Sequence, residues 1–391
     1  MRLAVERHSP AERAGRRQSN GRPGETLAQT EIWLMQQYWS ELTRTLVPYV
    51  PGEQPRLPGL LKLNTNECAY PPSPMVLSAI RKTAAEALRL CPDPQSLKLR
   101  RDLARMHQVE IDELFVGNGS DEVLGFAFAA LMNQVKPLLL PDVTYGLYEA
   151  HSRLFGIAFE RVPLDSEMRV RVEDYRDRGG AIVIANPNAP TGIALERAEI
   201  ERLLAGRPDI PILIDEAYGD FGAESVVPLI HDYSNLLVVR TFSKSRSLAG
   251  LRVGYAIGSC DLITALSRVR DSFNSYSVNV VAEAAARASL QDDAYFQEVR
   301  TKVARCRDHL STGLSKLGFD VLPSKGNFVF ARHREYPGAQ LTADLRAKAV
   351  LIRHFVGERT SDFVRVTVGP EADMEHFLTS TEECLGARGG V

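Results

Sequence analysis

Four features in the middle of this 391-residue chain have the residue types and spacing of a reactive site. Lys244 follows Ser243 directly after an apolar run, and an amine held in a cleft that excludes water is a good nucleophile. Asp215 ends another apolar run, so its carboxylate requires a cationic partner to stay ionised. The segment Gly117–Glu122 combines two glycines, a serine and a helix start, which offers free backbone N–H groups to an anion. Arg252, eight residues beyond Lys244, adds a cation to the same region.

Each feature alone also has an ordinary structural interpretation. Asp215 and the serine and aspartate of Gly117–Glu122 could cap helices, and Lys244 could be a surface residue. As a set, they meet the needs of pyridoxal phosphate: a Schiff-base lysine, a carboxylate for the pyridinium nitrogen, donors for the phosphate and a cation beside it. The spacing is GxGxxE rather than GxGxxG, and no GxxxxGK[ST] occurs, so a nicotinamide site is weakly supported and a P-loop is not. Dispersed histidines without HExxH predict no metal site.

Short and nearly continuous hydrophobic runs precede these motifs and predict strands buried on both faces of a sheet. The runs are Ala181–Ala185, Ile210–Ile214, Leu236–Val239 and Arg252–Ile257. Helical segments lie between them, such as Glu196–Leu204 and Asp261–Asp271. The pattern predicts an α/β fold with a large, mostly parallel sheet and helices on both faces. Ligands bind at the carboxyl ends of such strands, which is where the polar motifs fall.

The overall composition excludes several other classes of protein. Hydrophobic residues make up 44% and charged residues 25%, which is typical of globular proteins rather than disordered ones. The net charge of -2 argues against a general nucleic-acid binder. The longest apolar stretch, near Val123–Met132, has the length of a buried helix and not of a membrane span. Five scattered cysteines without CxxC spacing favour a reducing, cytoplasmic location.

The chain is long enough for more than one domain. Residues 1–34 are rich in Arg, Gly, Pro, Ser and Gln and predict a disordered extension, with Met35 as an alternative start to Met1. Residues 35–70 predict a helix, with apolar spacing from Ile32 to Leu46, and then an extended arm that lies on another surface of this chain or of a partner. The arm contains four prolines: Pro48, Pro51, Pro55 and Pro58. We expect the large domain at residues 71–281 and a smaller one at 282–391.

The chain resembles histidinol-phosphate aminotransferases, a family of the fold-type-I, class II, pyridoxal-phosphate-dependent aminotransferases. The resemblance covers most of residues 39–369 and is densest in TFSKSRSLAGLRVG at Thr241–Gly254. The arm at Pro48–Pro55, with Leu63–Glu67 and the motif Val364–Gly369, narrows it to this family. It implies a cytoplasmic homodimer of histidine biosynthesis that transaminates histidinol phosphate with 2-oxoglutarate. It also implies a smaller C-terminal α/β domain that closes over the substrate.

The resemblance further implies roles for individual residues. Lys244 would bind the cofactor aldehyde and carry a proton, Asp215 would pair with the pyridinium nitrogen, and Tyr218 would contact the phenolic oxygen, which makes these three catalytic. The remaining cofactor contacts would come from Tyr145, Ser120, Asp121, Asn188, Ser243 and Arg252. Substrate contacts would come from Tyr49, Asn66, Arg353 and Arg365, of which the two arginines suit a phosphate or carboxylate.

Three positions depart from the family pattern. Cys68-Ala69 stands where the family commonly has Asn-Pro, and Cys91 stands where a tyrosine usually reaches the partner's cofactor phosphate. Ala189 occupies a position where related enzymes often carry an asparagine. These departures keep an aromatic amino-acid aminotransferase and a threonine-phosphate decarboxylase open as alternatives. A nicotinamide dehydrogenase or a non-catalytic binding protein fits the lysine, aspartate and arginine set less well.

Overall fold

The computed structural model describes residues 37–55, 57–83 and 85–387. Its strands, in chain order, are β1 (Leu61–Lys62), β2 (Leu114–Gly117), β3 (Leu138–Pro141), β4 (Phe159–Val162), β5 (Ala181–Ala185), β6 (Ile212–Asp215), β7 (Leu236–Thr241), β8 (Gly254–Gly258), β9 (Phe319–Val321), β10 (Phe328–His333), β11 (Val350–Leu351), β12 (Arg353–His354) and β13 (Phe363–Thr367). Its α-helices are Glu41–Thr45, Pro74–Lys82, Ala85–Leu88, Leu97–His107, Ser120–Ala127, Leu147–Leu154, Arg197–Gly206, Cys260–Phe273, Val280–Gln291, Asp293–Lys316, Gly338–Ala347 and Glu371–Gly386.

The large sheet has seven strands in the order β2-β8-β7-β6-β5-β3-β4. The strands from β3 to β7 pair in parallel, whereas β8 is antiparallel to both of its neighbours. The predicted mostly parallel α/β sheet is therefore confirmed. The predicted strand at Ala181–Ala185 has the observed bounds, and the one predicted at Arg252–Ile257 begins two residues later, at Gly254. The reason is that Arg252 has a left-handed φ of 55°, which interrupts an extended strand.

Side chains of the central strands alternate between two hydrophobic layers. Ile182 and Ile184 belong to one layer and Val183 to the other, and all three are fully buried. This alternation shows that both faces of the sheet are covered, as continuous apolar runs require. The apolar stretch near Val123–Met132 is buried and helical, since Ser120–Ala127 continues into a π-helical turn at Phe128–Met132.

A smaller antiparallel sheet, in the order β12-β13-β10-β9, follows in the C-terminal part. A third hydrophobic cluster joins it to the helices Asp293–Lys316 and Glu371–Gly386. The expected domain boundary at residue 282 falls inside the helix Val280–Gln291, whose buried alanines pack in the core of the large sheet. Within the described ranges, no helix is both long and apolar enough to cross a membrane.

The chain divides into two compact units, Met1–Val47 and Pro48–Val391. In the first unit, the part of the predicted helix that is described begins at residue 37, and it contains a helix at Glu41–Thr45, where the Ser40 side chain caps the first turn by accepting from the Thr43 N–H. The expectations for residues 1–34 and for a start at Met35 lie outside the described residues. In the second unit the arm contacts its own chain, because Arg353 donates to the carbonyl of Val50 and Asn64 donates to the carbonyl of Glu53.

Candidate active site

A cavity of about 400 Å³ opens at the carboxyl ends of the central strands. Ala185, Asp215 and Thr241, the last residues of β5, β6 and β7, all line it. This is the edge at which parallel sheets collect ligands. Most of the residues expected at the site line this one cavity: Tyr49, Ser120, Asp121, Tyr145, Asp215, Tyr218, Ser243, Lys244, Arg252, Arg353 and Arg365.

Lys244 presents its amine to this cavity from the loop after β7. The Thr241 hydroxyl accepts a hydrogen bond from the Ser243 N–H, at 3.1 Å, and fixes the turn that leads to the lysine. The Lys244 Nζ donates to the carbonyl of Thr65 at 3.3 Å and lies 5.5 Å from the centre of the Tyr218 ring. The amine therefore lies between the Thr65 carbonyl and the Tyr218 ring, where it lines the cavity.

Asp215 is buried at the end of β6 and is only 4% exposed. Its Oδ1 accepts the Ala217 N–H at 3.0 Å, and its Oδ2 accepts the Tyr148 hydroxyl at 2.7 Å. Burial raises the pKa of this carboxyl to about 6, and the two hydrogen bonds oppose that rise. A cation bound in the cavity would therefore stabilise the ionised form of the Asp215 carboxylate.

The start of the helix Ser120–Ala127 forms one end of the cavity. Gly119 precedes it with φ +85°, a backbone conformation that favours glycine, and Arg252 Nη2 lies 2.6 Å from where a Cβ atom would be. The first N–H groups of the helix have no acceptor within the helix. Glu122, which replaces the third glycine of the nucleotide pattern, accepts from the Asn118 N–H and closes the turn.

Arg252 connects this helix start to the loop of Lys244. Its Nη1 donates to the Ser243 hydroxyl at 3.3 Å, and its Nη2 lies 3.0 Å from Oδ2 of Asp121. The other carboxylate oxygen of Asp121 accepts the Tyr145 hydroxyl at 3.2 Å. Helix N–H groups, a serine hydroxyl and a guanidinium therefore converge on one corner, which is a suitable environment for a phosphate.

Another part of the cavity wall carries Arg353 and Arg365 beside the aromatic arm residue Tyr49. The rings of Tyr49 and Tyr145 meet edge to face with their centres 5.5 Å apart. Burial raises the pKa of Tyr49, and the two arginines oppose this rise. Burial also lowers the pKa of Arg365. This wall pairs cationic groups with flat aromatic surfaces.

Two of the residues expected at the site are not among those that line the cavity. Asn66 has a left-handed φ of 54° and donates from Nδ2 to the Tyr218 hydroxyl at 3.0 Å, so it lies behind the tyrosine. The Asn188 amide bonds the Thr144 hydroxyl, the Val143 carbonyl and the Thr191 hydroxyl. Asn188 therefore connects two loops of the large domain through its side chain.

Several residues that support the site were not predicted from the sequence. Glu216, directly after Asp215, is buried; its Oε2 lies 3.6 Å from Arg240 Nε, and it accepts from the Val226 N–H and the Ser225 hydroxyl. Burial raises the pKa of Glu216. Tyr148 also went unselected, although its place one helical turn after Tyr145 was a usable signal.

The positions that depart from the family pattern lie in different environments. Ala189 lines the cavity and leaves one wall apolar. Cys68 is half-buried against the third hydrophobic cluster, whereas Cys91 is exposed. All five cysteines are free thiols.

The residues present fit pyridoxal phosphate. The cavity supplies an amine for the aldehyde, a carboxylate with unused lone pairs for a pyridinium nitrogen, and an N–H, hydroxyl and guanidinium corner for the phosphate. Glycine at position 254 also lets the backbone of Ser120 approach closely, since a Cβ atom there would collide with the Ser120 N atom.

Comparisons with known proteins agree with this arrangement. The model of the family described as aminotransferase class I and II matches residues 58–380. A histidinol-phosphate aminotransferase of Bradyrhizobium diazoefficiens is 56% identical over 351 residues, which are 90% of this chain and all of the relative. One from Rhizobium meliloti is 53% identical over the same shares of both chains. The solved histidinol-phosphate aminotransferase of Sinorhizobium meliloti, in complex with pyridoxal-5'-phosphate, is 24% identical with a TM-score of 0.78, covering 90% of this chain and 98% of that one.

Proposed function

The chain belongs to the class I and II aminotransferases, and from this premise we propose that it transaminates histidinol phosphate with 2-oxoglutarate, using pyridoxal phosphate. The observation that carries the proposal is the convergence of Lys244, Asp215 and Arg365 on a single cavity. The match along the whole length of histidinol-phosphate aminotransferases supports the choice of substrate. The reaction is a step of histidine biosynthesis.

When bound, pyridoxal phosphate supplies an electron sink for the substrate carbon that loses its proton. Lys244 would hold the cofactor through its amine, and the same amine would carry the proton that the substrate carbon loses. Asp215 would accept from the ring nitrogen and so keep the proton there. Tyr218 would contact the phenolic oxygen of the cofactor. Asn66 would orient the Tyr218 hydroxyl through the hydrogen bond that it donates to it.

The cofactor phosphate and the substrate would bind at different parts of the cavity: the phosphate at the helix start, and the substrate at the wall that carries Arg353 and Arg365. The helix start at Ser120 and Asp121, with Ser243 and Arg252, holds the cofactor phosphate. Tyr145, whose hydroxyl donates to Asp121, would contact the cofactor ring. Two substrates must use the same wall in turn, one with a phosphate and one with carboxylates, and guanidinium groups bind both kinds of anion in a bidentate manner.

The wall that carries the two arginines consists of Arg353, Arg365, Phe355 and Tyr49. The Arg365 guanidinium lies 5.3 Å from the Phe355 ring centre, so a flat ring and an anionic group can bind side by side. An imidazole ring joined to a phosphate meets both requirements. Asn66 and Asn188 act in this proposal by orienting other residues of the site, through the contacts described above.

We also propose that the protein is a cytoplasmic homodimer. Free thiols at all five cysteines support a reducing compartment. The aromatic side chains of Phe273 (81% exposed) and Tyr276 (53% exposed) form a surface that we expect a second copy of the chain to cover. The arm does not add to this argument, since it packs on its own chain. Light scattering of the purified protein distinguishes a dimer from a monomer.

The test of the substrate measures glutamate formed from 2-oxoglutarate with three amino donors in parallel: histidinol phosphate, phenylalanine and threonine phosphate. We expect histidinol phosphate to give the highest kcat/KM. A higher value for phenylalanine would move the enzyme to aromatic transamination. Release of carbon dioxide from threonine phosphate, without glutamate, would make it a decarboxylase.

A further inference from the structure

Tyr148 is a fully buried tyrosine whose hydroxyl ends at the carboxylate of Asp215. It lies in the first turn of the helix Leu147–Leu154, just after the loop that carries Tyr145. The ring of Tyr148 stacks on Phe128 at 6.2 Å and 21°, and the Tyr145 ring meets it edge to face at 5.6 Å. Because the ring is held on both sides, the hydroxyl has a fixed position, 2.7 Å from Oδ2 of Asp215.

The carboxylate of Asp215 receives one hydrogen bond from the protein on each oxygen. Ala217 donates its backbone N–H to Oδ1 at 3.0 Å, and Tyr148 donates to Oδ2. An ionised carboxylate accepts at about four lone-pair positions, so acceptor capacity remains on the side that lines the cavity. The tyrosine thus fixes the rotation of the carboxylate and leaves it available to a cavity ligand.

The surroundings of Asp215 make this hydrogen bond valuable. Desolvation disfavours the charged carboxylate, and Asp121 and Glu216 add like charge. Tyr145 and Tyr218 lie close to Tyr148 and line the same cavity as Asp215, and the amine of Lys244 lines it too. Tyr148 and Ala217 are the donors that offset this burial, and only Tyr148 can be removed by exchanging a side chain.

We propose that Tyr148 is a positioning residue for the reaction: its donated hydrogen bond keeps the Asp215 carboxylate ionised and oriented, so that the shared proton stays on the ring nitrogen of bound pyridoxal phosphate. The inference rests on the cofactor named in the proposed function and extends it to a residue that does not itself react. Loss of the hydroxyl makes the carboxylate more basic and draws the proton from nitrogen toward oxygen.

The test is the nitrogen-15 NMR shift of cofactor labelled at the ring nitrogen, bound to the wild type and to Tyr148→Phe at one neutral pH. We expect a pyridinium signal from the wild type and a displacement toward neutral pyridine in the variant. The kcat for histidinol phosphate should fall by about tenfold or more, with KM nearly unchanged, as expected for a lost hydrogen bond to a charged group.

The matched control is Tyr175→Phe, which removes a buried tyrosine hydroxyl that has no hydrogen-bond partner. It should leave the nitrogen signal and kcat as in the wild type. An identical nitrogen shift in the wild type and Tyr148→Phe would overturn the inference. If Tyr148→Phe does not fold, 4-aminophenylalanine at position 148 keeps the shape with a weaker donor, and an unchanged nitrogen shift there would overturn it equally.

This design separates the inference from the proposed function. If the wild type binds the cofactor but forms no glutamate from histidinol phosphate, the substrate assignment is wrong while the nitrogen shifts still decide the role of Tyr148. If the wild type binds no pyridoxal phosphate, both are wrong. If the wild type is active and the nitrogen shift is the same in the wild type and in Tyr148→Phe, only the inference about Tyr148 is wrong.

Discussion

The guanidinium of Arg365 donates from Nη2 to the backbone carbonyl of Asn64 at 3.0 Å, while its buried Nε has no hydrogen-bond partner. The group is flanked by the rings of Phe328 and Phe355, at 5.5 and 5.3 Å. A buried donor without an acceptor costs free energy, and the cavity beside it has room for an anion. Arg353, in contrast, uses Nη1 and Nη2 to hold the carbonyls of the arm.

We expect Arg365→Lys to lower kcat/KM for histidinol phosphate by about 10- to 100-fold, because an ammonium cannot offer the paired donors of a guanidinium. Steady-state kinetics measure the loss in kcat/KM. Cofactor titration measures the affinity for pyridoxal phosphate, which should not change. Arg353→Lys is the matched control, with a smaller loss expected, since its donors are partly used on the arm. An equal or greater loss for Arg353→Lys would reverse this assignment of roles.

Lys244→Ala should retain cofactor binding but lose turnover by at least about 10²- to 10⁴-fold, the usual contribution of a positioned acid–base group. The phosphate corner and Asp215 remain in this variant, which is why binding survives. Equilibrium dialysis of pyridoxal phosphate and the glutamate assay report the two properties. Lys302→Ala, which removes an exposed lysine paired with Glu298, serves as the control. Near-normal turnover in Lys244→Ala would contradict the assignment.

The sheet and most of the cavity could be predicted because both depend on local patterns. Continuous apolar runs must be strands buried on two faces, and the polar residues after them must meet at one edge, as Asp215 and Lys244 do. Helix ends were less exact, since Arg197–Gly206 extends beyond the predicted Glu196–Leu204. End residues depend on capping contacts that the pattern of apolar residues does not contain.

What sequence reasoning could not give is the direction of side chains joined by long-range contacts. Asn66 is predicted to contact the substrate, and its side chain bonds Tyr218 and Thr367, which lies 301 positions further along the chain. Tyr148 was missed because a tyrosine in a helix is most often a packing residue, and its partner lies 67 positions away.

The raised pKa of Asp215 predicts how the stability of the cofactor-free protein depends on pH. The folded-state pKa of about 6 lies above the unfolded value of 3.8, so the contribution of this group to stability is complete below pH 3.8 and is lost as the pH rises through 6. Asp215→Asn has no such loss. Between pH 4 and pH 7 its unfolding free energy should gain about 2 kcal/mol relative to the wild type.

Urea unfolding of both cofactor-free proteins at each pH provides this comparison. The difference between the variants isolates Asp215 from other titrating groups. Bound cofactor should flatten the pH dependence in the wild type, because a cationic ring nitrogen restores the ionised carboxylate. A difference that does not change with pH would show that the carboxyl titrates normally.

Cys91 supplies the last prediction, because it is exposed and stands where the family commonly has a tyrosine that reaches the partner's cofactor phosphate. A thiol is a weak and short donor, so Cys91→Tyr should tighten cofactor binding by about tenfold if the protein is a dimer. Cys91→Phe supplies the ring without the hydroxyl and should give no such gain. Cofactor dissociation constants and light scattering of the three proteins decide the matter. Equal dissociation constants for the tyrosine and phenylalanine variants would show that position 91 does not face a phosphate.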